Sequence, residues 1–282
     1  MNKVSLFTDS TCDLSDELVK KYDIGIIPLY VHFNTRSYQD NIDIRSADLY
    51  RMVKEMGMLP TTSAPTPANY VSAFKPIIDA GNDVLYISIS SRLSSSYENA
   101  CTAAKEFPEG RVRIIDSLNL STGIGLQVLT AADSVAQGSG INEVADQVLS
   151  VIDKVQTEFV IDSLQYLYKG GRCNAVQMIF SSVLKIHPVI EVTGGSMHMA
   201  AKIRGGRQQV LNHMLNDTIS NLHNIDPRRV FVTHSEDTDE AVWIKNKLAE
   251  LNKFKEILIT DASCVISSHC GPKTVGILYL KK

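Results

Sequence analysis

Two hydroxyl-rich segments in the first half of the chain carry residue types that could bind an anion. Residues 60–67 (PTTSAPTP) precede a helix predicted from Asn69, and residues 88–97 (SISSRLSSSY) directly follow the apolar run at 84–87. Free amides at a helix N-terminus, with hydroxyls beside them, favour a carboxylate or phosphate. Helix capping remains the alternative interpretation of either segment alone. Because both flank one predicted strand, we expect a shared polar pocket for a small anionic ligand.

The usual catalytic signatures are absent from the sequence, which contains no GxSxG, HExxH or GxxxxGK[ST] motif. Residues 271–274 (GPKT) end like a P-loop but lack its upstream glycine, and Pro272 removes an amide that a phosphate would need. Residues 123–125 begin like GxGxxG, but Val128 occupies the position of the third glycine. A nucleotide site is therefore not predicted.

Other residues of catalytic type have structural explanations. Asp9, Ser10 and Asp13 fall where a predicted strand ends and a helix starts. Asp237 and Asp239 suit a polar turn before a helix better than a metal site. Apart from His269, the histidines form no pair with the spacing of metal ligands: His32, His187, His198, His213, His223 and His234. We predict neither a metal nor a cofactor.

Composition indicates a globular protein of ordinary type. The chain has 282 residues, enough for two domains, with 44% apolar and 21% charged residues. Its formal charge of −3 offers no positive field for nucleic acid. The five cysteines lack CxxC spacing, which favours reduced thiols. With no signal-peptide pattern and no apolar run of about 20 residues, we expect a cytoplasmic protein without stable membrane insertion.

The order of predicted elements indicates an α/β fold. In the first half, strands are predicted at 4–8, 24–33, 83–88 and 111–116, and helices at 13–22, 47–56, 69–79, 95–106, 123–137 and 142–154. In the second half, helices are predicted at 175–184, 208–223 and 240–251, and strands at 230–234 and 275–281. Alternating strands and helices favour a helix-covered parallel sheet in the first half, and strands of mixed length favour a mixed sheet in the second. The predicted division is 1–156 and 157–282, with the ligand cavity near the interface.

Seven stretches spread over nearly the whole chain resemble the DegV family. They are 8–14 (TDSTCDL), 27–31 (IPLYV), 62–67 (TSAPTP), 89–100 (ISSRLSSSYENA), 162–172 (DSLQYLYKGGR), 202–205 (KIRG) and 269–276 (HCGPKTVG). Any one of them is a weak signal, whereas their order and spacing across both halves are specific. The resemblance implies an N-terminal three-layer α/β/α domain with a parallel sheet and a C-terminal two-layer α/β domain with a mixed sheet.

The resemblance also implies a ligand, a fatty acid enclosed near the domain interface. Thr62 and Ser94 correspond to the hydroxyls that hold the carboxylate, and Ser63 is a close runner-up. Ser95 stands where many relatives have glycine and places a Cβ where they offer bare backbone, so the resemblance does not determine the amide geometry of this loop. Helices at 123–129 and 175–184 are candidate tunnel walls, although core packing explains their apolar residues equally well.

Three further residues are assigned roles by the resemblance alone. Arg204 and His269 match positions near the carboxylate that matter when a separate kinase phosphorylates the bound acid. Arg172 matches a surface position linked to docking of that kinase. The alternatives are a solvated or ion-paired arginine in both cases, and a hydrogen-bonded loop histidine for His269.

The leading hypothesis is a non-enzymatic carrier that presents a long-chain fatty acid, such as palmitate, stearate or oleate, to an ATP-dependent fatty acid kinase. It would carry the fatty acid and its acyl phosphate, with transient membrane contact and no nucleic-acid partner. One rival is a serine-dependent hydrolase or acyltransferase that uses Ser94 or Ser95. Another is a regulatory protein that senses lipid. The sequence does not determine the length or saturation of the acyl chain.

Overall fold

Three β-sheets organise the part of the chain that the computed structural model describes, residues 2–172 and 186–282. The strands are β1 Val4–Asp9, β2 Gly25–Ile27, β3 Tyr30–Phe33, β4 Arg36–Gln39, β5 Thr61–Ser63, β6 Asp83–Ser88, β7 Val112–Asp116, β8 Val155–Val160, β9 Ile186–Thr193, β10 Ser196–Arg204, β11 Ile225–Ser235, β12 Glu256–Asp261 and β13 Thr274–Lys281. The helices are α1 Asp16–Lys21, α2 Ser46–Met56, α3 Pro67–Asp79, α4 Ser96–Ala104, α5 Thr122–Ala136, α6 Ile141–Leu149, α7 Leu164–Gly170, α8 Arg207–Ser220, α9 Thr238–Glu250 and α10 Cys264–Cys270.

The first sheet is parallel, in the order β2-β1-β6-β7, and has helices on both faces. Every residue of β6 is buried, as expected for a strand covered on both sides. Val84 and Tyr86 pack in the cluster of α3 and α4. Leu85 and Ile87 point the opposite way, into the cluster of α5 and α6. This confirms the predicted three-layer arrangement.

Helix α5 is the central element of the molecule. Eleven of its residues are buried, because it packs against the first sheet on one side and against β8, β11 and β13 of the second sheet on the other. A helix that is apolar around most of its circumference is stable only when it is enclosed in this way. The apolar period at 123–137 therefore belongs to an interior helix that both halves share.

The second sheet is mixed, in the order β10-β9-β8-β13-β11-β12, with only β11 and β12 parallel. Helices α8 and α9 cover one face, which confirms the expected α/β layering of the second half. The other face joins the α5 core through Phe159, Phe231 and Leu278. The predicted boundary between 156 and 157 falls inside β8, and the division into domains stays a prediction.

A small antiparallel sheet, β4-β3-β5, departs from the sequence prediction. The single extended run predicted at 24–33 is two strands in different sheets, separated at Pro28 and Leu29. Proline has no N–H for a ladder, so the chain leaves the parallel sheet at this point. The hydroxyl-rich segment at 60–67 contributes β5, which pairs with β3.

Most of the other predicted elements match within a few residues, although the helix predicted at 13–22 begins only at Asp16, where the Ser15 hydroxyl caps its first turn. No bounds were predicted for strands β4, β8, β9, β10 and β12 or for helices α7 and α10. The helix predicted at 175–184 lies outside the described residues. Within the described ranges, no helix is long and apolar enough to cross a membrane.

Candidate ligand-binding site

A cavity of about 280 Å³ lies where the three sheets approach one another. Its lining comes from β5, the loop after β6, α7 and α10, and from β8, β11 and β13 of the second sheet. Met197 of β10, an edge strand of the second sheet, also lines the cavity. Residues far apart in the sequence thus enclose one space, which sits beyond the carboxyl end of β6, where α/β folds place ligands.

One end of the cavity carries most of the side chains selected from the sequence. This polar end consists of Thr62, Ser63, Ser94, Ser95, Arg172 and His269. Thr62 Oγ1 lies 2.8 Å from His269 Nε2, and Arg172 Nε donates to the carbonyl oxygen of Leu93 at 3.4 Å. These contacts connect β5, α10, the end of α7 and the loop after β6. The structure therefore brings together two hydroxyl-rich segments that are about 30 residues apart in the sequence.

Local structure explains how the two hydroxyl segments are presented. On β5, Thr61 and Ser63 are exposed while Thr62 is half-buried, and Thr62 pairs in register with Val31 of β3. The loop after β6 folds back on itself, with Ser94 N donating to the carbonyl of Ser90 at 3.1 Å. This turn brings Ser94 to the cavity just before α4 begins.

The contacts of His269 favour one tautomer. Its Nδ1 is buried and has no hydrogen-bond partner among the described groups, because it packs against Gly170, where even a methyl group would overlap it. An orphaned N–H is rarer in proteins than an orphaned acceptor, so the proton belongs on Nε2. Nε2–H then donates to Thr62, whose own O–H is left to donate to a ligand. Burial, followed by the charge of Arg172, lowers the pKa of His269 to about 4, which keeps the ring neutral near pH 7.

The two predicted arginines differ in position. Arg172 is exposed, lines the cavity and donates from Nη1 to the carbonyl of Gly170 at 2.8 Å. Arg204 is also exposed but ends β10 and is not one of the lining residues. The structure thus groups Arg172 with the hydroxyls and leaves Arg204 apart, and the role predicted for each remains a prediction.

The rest of the lining is largely apolar. Its larger apolar side chains come from both halves of the chain: Leu29, Ile89, Leu93, Leu120, Phe159, Leu167, Met197, Val265, Ile266 and Leu278. Residues 123–129 of α5, considered as a tunnel wall, do not line the cavity, because that helix is enclosed between the sheets. The proposed wall at 175–184 lies outside the described residues.

Several buried hydroxyls on this lining were not predicted, and each is already hydrogen-bonded within the protein. Ser121 donates to Asp13 at 2.6 Å and Thr157 donates to Asn119 Oδ1 at 2.7 Å. Thr274 donates to the carbonyl of Cys270 at 3.1 Å. An apolar ligand segment here would leave none of these donors unsatisfied, so the polar composition does not prevent the region from accepting hydrocarbon. No sequence signal marks these three residues. They are identified as lining residues only by their positions on β8, on β13 and at the N-cap of α5.

Metal chemistry finds no support at this site. Among the residues whose placement is described, no group of three His, Cys, Asp or Glu side chains is arranged to hold a metal ion. Four cysteines of this part are free thiols: Cys12, Cys101, Cys264 and Cys270. Cys270 lines the cavity, and burial raises the pKa of its thiol to about 12, which makes it a poor nucleophile.

Comparison with known proteins identifies the family. A family model described as "Uncharacterised protein, DegV family" matches residues 3–282. The chain belongs to the DegV family. A DegV domain-containing protein of Clostridium acetobutylicum is 30% identical to this DegV-family chain over 283 residues, covering 100% of both.

Solved structures agree with the fold of this DegV-family protein. A Thermus thermophilus DegV family protein, described by its fatty acid binding, superposes with a TM-score of 0.92 at 27% identity, covering 99% of this chain and 100% of that one. A stearic acid-binding protein of Eubacterium ventriosum gives a TM-score of 0.87 at 25% identity, covering 100% of this chain and 99% of that one.

Proposed function

We propose that this protein binds one long-chain fatty acid in the cavity, with the carboxylate at Thr62 and Ser94 and the acyl chain along the apolar lining. The observation that carries the proposal is the division of one cavity into a polar end with hydroxyl groups and a largely apolar remainder, where Ser121, Thr157 and Thr274 are hydrogen-bonded within the protein. Fatty acid binding by the Thermus and Eubacterium relatives supports the same ligand class.

Hydrogen-bond donors at the polar end suit a carboxylate. A carboxylate taken out of water without partners would cost several kcal/mol or shift its pKa. Thr62 can donate because His269 satisfies its acceptor side, and Ser94 lies across the polar end on the loop after β6. Ser63 and Ser95 are more exposed, which suits them to the rim.

The apolar lining would supply most of the affinity. Burying methylene groups contributes about 0.8 kcal/mol each, so a sixteen-carbon chain yields on the order of 10 kcal/mol before ordering costs. That is enough for retention of the acid during purification. The chain length remains open in this proposal.

We further propose that the bound acid is presented to a separate ATP-dependent fatty acid kinase and that the acyl phosphate is carried onward. This part rests on the family resemblance and on the exposure of Arg172 beside the polar end. A guanidinium can hold phosphate oxygens in a bidentate way and keeps its charge at all physiological pH values. Arg204 is assigned to the same step by resemblance only.

The serine-enzyme rival gains no support from the contacts of its serines. The Ser94 hydroxyl bonds to Ser96 at 2.9 Å, and no described histidine hydrogen-bonds to Ser94 or Ser95. A serine–histidine contact does occur between Ser63 Oγ and His32 Nε2 at 2.7 Å, but it joins exposed side chains of neighbouring strands β3 and β5. Labelling of Ser94 by a serine-reactive phosphonate would support the rival.

Mass spectrometry of solvent-extracted protein tests fatty acid binding. We expect about one fatty acid per wild-type chain and a sharp loss in the Thr62→Ala/Ser94→Ala variant. Each lost hydrogen bond to a charged group weakens binding by roughly 1.5–3 kcal/mol, which is tenfold or more in affinity.

The matched control is Thr61→Ala/Ser91→Ala, which removes the same two side-chain types from positions that do not line the cavity. It should retain the acid at the wild-type level. A folded wild-type protein that carries no acid, even after incubation with oleate, would contradict the proposal.

Acyl phosphate formation tests the kinase step. Loaded protein, ATP and a bacterial fatty acid kinase catalytic subunit should yield acyl phosphate, trapped as the hydroxamate. Arg172→Ala should lower the initial rate per bound acid at least tenfold, because a charged contact of roughly 1.5–3 kcal/mol is lost. Lys169→Ala, an exposed change three residues earlier in the last turn of α7, should leave the rate near wild type. Equal rates for both variants would remove Arg172 from this step.

A further inference from the structure

Ser90 is a buried serine beside the polar end of the cavity, and its backbone groups hold the turn that presents Ser94. It is 0% exposed, lies two residues after β6 and is not one of the lining residues. Its amide donates to the carbonyl of Asn119 at 2.9 Å. Its carbonyl accepts from the amides of Leu93 and Ser94, at 2.9 and 3.1 Å. The position of Ser94 therefore depends on the position of Ser90.

The Ser90 hydroxyl connects this turn to the second half of the chain. Ser90 Oγ donates to the carbonyl of Gly195 at 2.7 Å and accepts from the amide of Arg92 at 3.2 Å. Both roles are fixed, because a carbonyl can only accept and an amide N–H can only donate. Gly195 belongs to the turn at 194–195 that joins β9 to β10. One hydroxyl group thus holds the loop after β6 against the β9–β10 turn.

The two glycines of the β9–β10 turn differ in their contact with Ser90. Both have positive φ, +56° for Gly194 and +81° for Gly195, as expected for the central residues of a short hairpin turn. A Cβ on Gly195 would lie 2.6 Å from Ser90 Oγ, whereas a Cβ on Gly194 would have no described atom within 4 Å. Backbone conformation explains both glycines, but only Gly195 also needs to lack a side chain in order to approach Ser90.

We propose that Ser90 is a positioning residue for carboxylate binding, which keeps Ser94 in its ligand-binding position by holding the loop after β6 against the Gly195 carbonyl. The inference rests on the proposed function of Ser94 as a donor to the carboxylate. Neither Ser90 nor Gly195 lines the cavity, so both act through Ser94. The β9–β10 turn of the second half is then part of the carboxylate site although it does not touch the ligand.

Loss of the Ser90 hydroxyl would affect the carboxylate more than the acyl chain. The Gly195 carbonyl and the Arg92 amide would each lose a hydrogen-bond partner, which is costly unless the loop moves to bring them to water. Ser94 would move with the loop, because its amide is bonded to the Ser90 carbonyl. A hydrogen bond weakens steeply when its geometry changes, whereas apolar burial is not directional.

Calorimetric titration of the delipidated full chain with oleate and with oleyl alcohol separates these two effects. Oleyl alcohol has the same hydrocarbon chain and no carboxylate. Ser90→Ala should weaken oleate binding about fivefold, the effect of roughly one hydrogen bond, and should change oleyl alcohol binding less than about twofold. A purely structural role of Ser90 would weaken the binding of both ligands to the same extent.

A double-mutant cycle with Ser94→Ala tests whether the effect passes through Ser94. Once the Ser94 hydroxyl is absent, Ser90→Ala should cause no further loss of oleate affinity. Losses that add in the double variant would overturn the inference, because Ser90 would then act on the ligand by another route.

The two turn glycines provide a matched pair that leaves the loop sequence unchanged. Gly195→Ala should displace the Ser90 hydroxyl and reproduce the selective loss of oleate affinity. Gly194→Ala adds the same methyl group at a positive φ without this contact, so it should bind both ligands like the wild type. If Ser90→Ala does not fold, the comparison of the glycine variants decides the question.

The outcomes separate this inference from the proposed function. Equal losses for oleate and oleyl alcohol, or equal effects of the two glycine variants, would overturn the inference and leave fatty acid binding intact. Wild-type oleate affinity in Ser94→Ala would overturn the proposed function of Ser94. Absence of oleate binding by the wild type would overturn the proposed function of the whole cavity.

Discussion

At the scale of single residues, the candidate site depends on which hydrogens are free to reach a ligand. Thr62 can donate its hydroxyl hydrogen to a ligand because Thr62 Oγ1 accepts the hydrogen of His269 Nε2. That assignment follows from His269 Nδ1, which lies close to Gly170 and has no hydrogen-bond partner among the described residues. Gly170 therefore shapes the site without presenting any polar group.

Replacing Gly170 by Ala tests this arrangement. The added methyl would push the imidazole away from Thr62 and break their hydrogen bond. Affinity for oleate should then fall about five- to tenfold, which corresponds to about 1–1.4 kcal/mol. The pKa of His269, followed by NMR, should rise from about 4 toward its ordinary value as burial is relieved.

Lys169→Ala is the matched control, because it adds no atoms and lies exposed on the same helix. It should change neither the affinity nor the histidine titration. An unaltered His269 pKa in a folded Gly170→Ala protein would refute the packing argument.

At the scale of elements, α5 joins the two halves by packing against both large sheets. Leu129 is completely buried in this helix, whereas Leu149 of the neighbouring α6 is 49% exposed. Leu129→Ala should lower the free energy of unfolding by about 2–5 kcal/mol, since it leaves a cavity between two sheets. Denaturant titration followed by circular dichroism measures this loss.

The control for the helix is Leu149→Ala, the same chemical change on an exposed surface. Its effect should stay within about 0.5 kcal/mol. Similar losses for the two variants would mean that α5 is not the enclosed layer that its burial indicates.

Elements with a strong periodic pattern were predictable, and those defined by long-range pairing were not. The runs at 83–88 and 123–137 were identified from residue type and spacing alone, because apolar periodicity reflects burial. The short strand β5 was missed, since its Thr-Thr-Ser sequence has no apolar alternation and becomes a strand only by pairing with β3. Helix α10 was missed because tertiary contacts stabilise its start. The buried carboxylates of Asp13 and Asp40, which are distant in the sequence, accept hydrogen bonds from the backbone amides of Ser263 and Cys264.

At the scale of the whole molecule, the ligand cavity exists because both halves share one core. The largest buried cluster includes Val4 of the first sheet and Leu278 of the second. The cavity lies within this joint region, with its polar end built by β5, the loop after β6, α7 and α10. Neither half alone supplies both the hydroxyl groups and the full apolar lining.

The sequence by itself determined the α/β class, the family, and the residue types at the site, with Thr62, Ser94, Arg172 and His269 selected in advance. These properties are encoded locally, in periodicity, turn chemistry and motif order. Only the tertiary structure decided which of the selected residues meet, leaving Arg204 apart and engaging buried threonines in internal bonds. Hydrogen-bond direction and the position of a neutral histidine depend on partners distant in the chain, and folding alone brings those partners together.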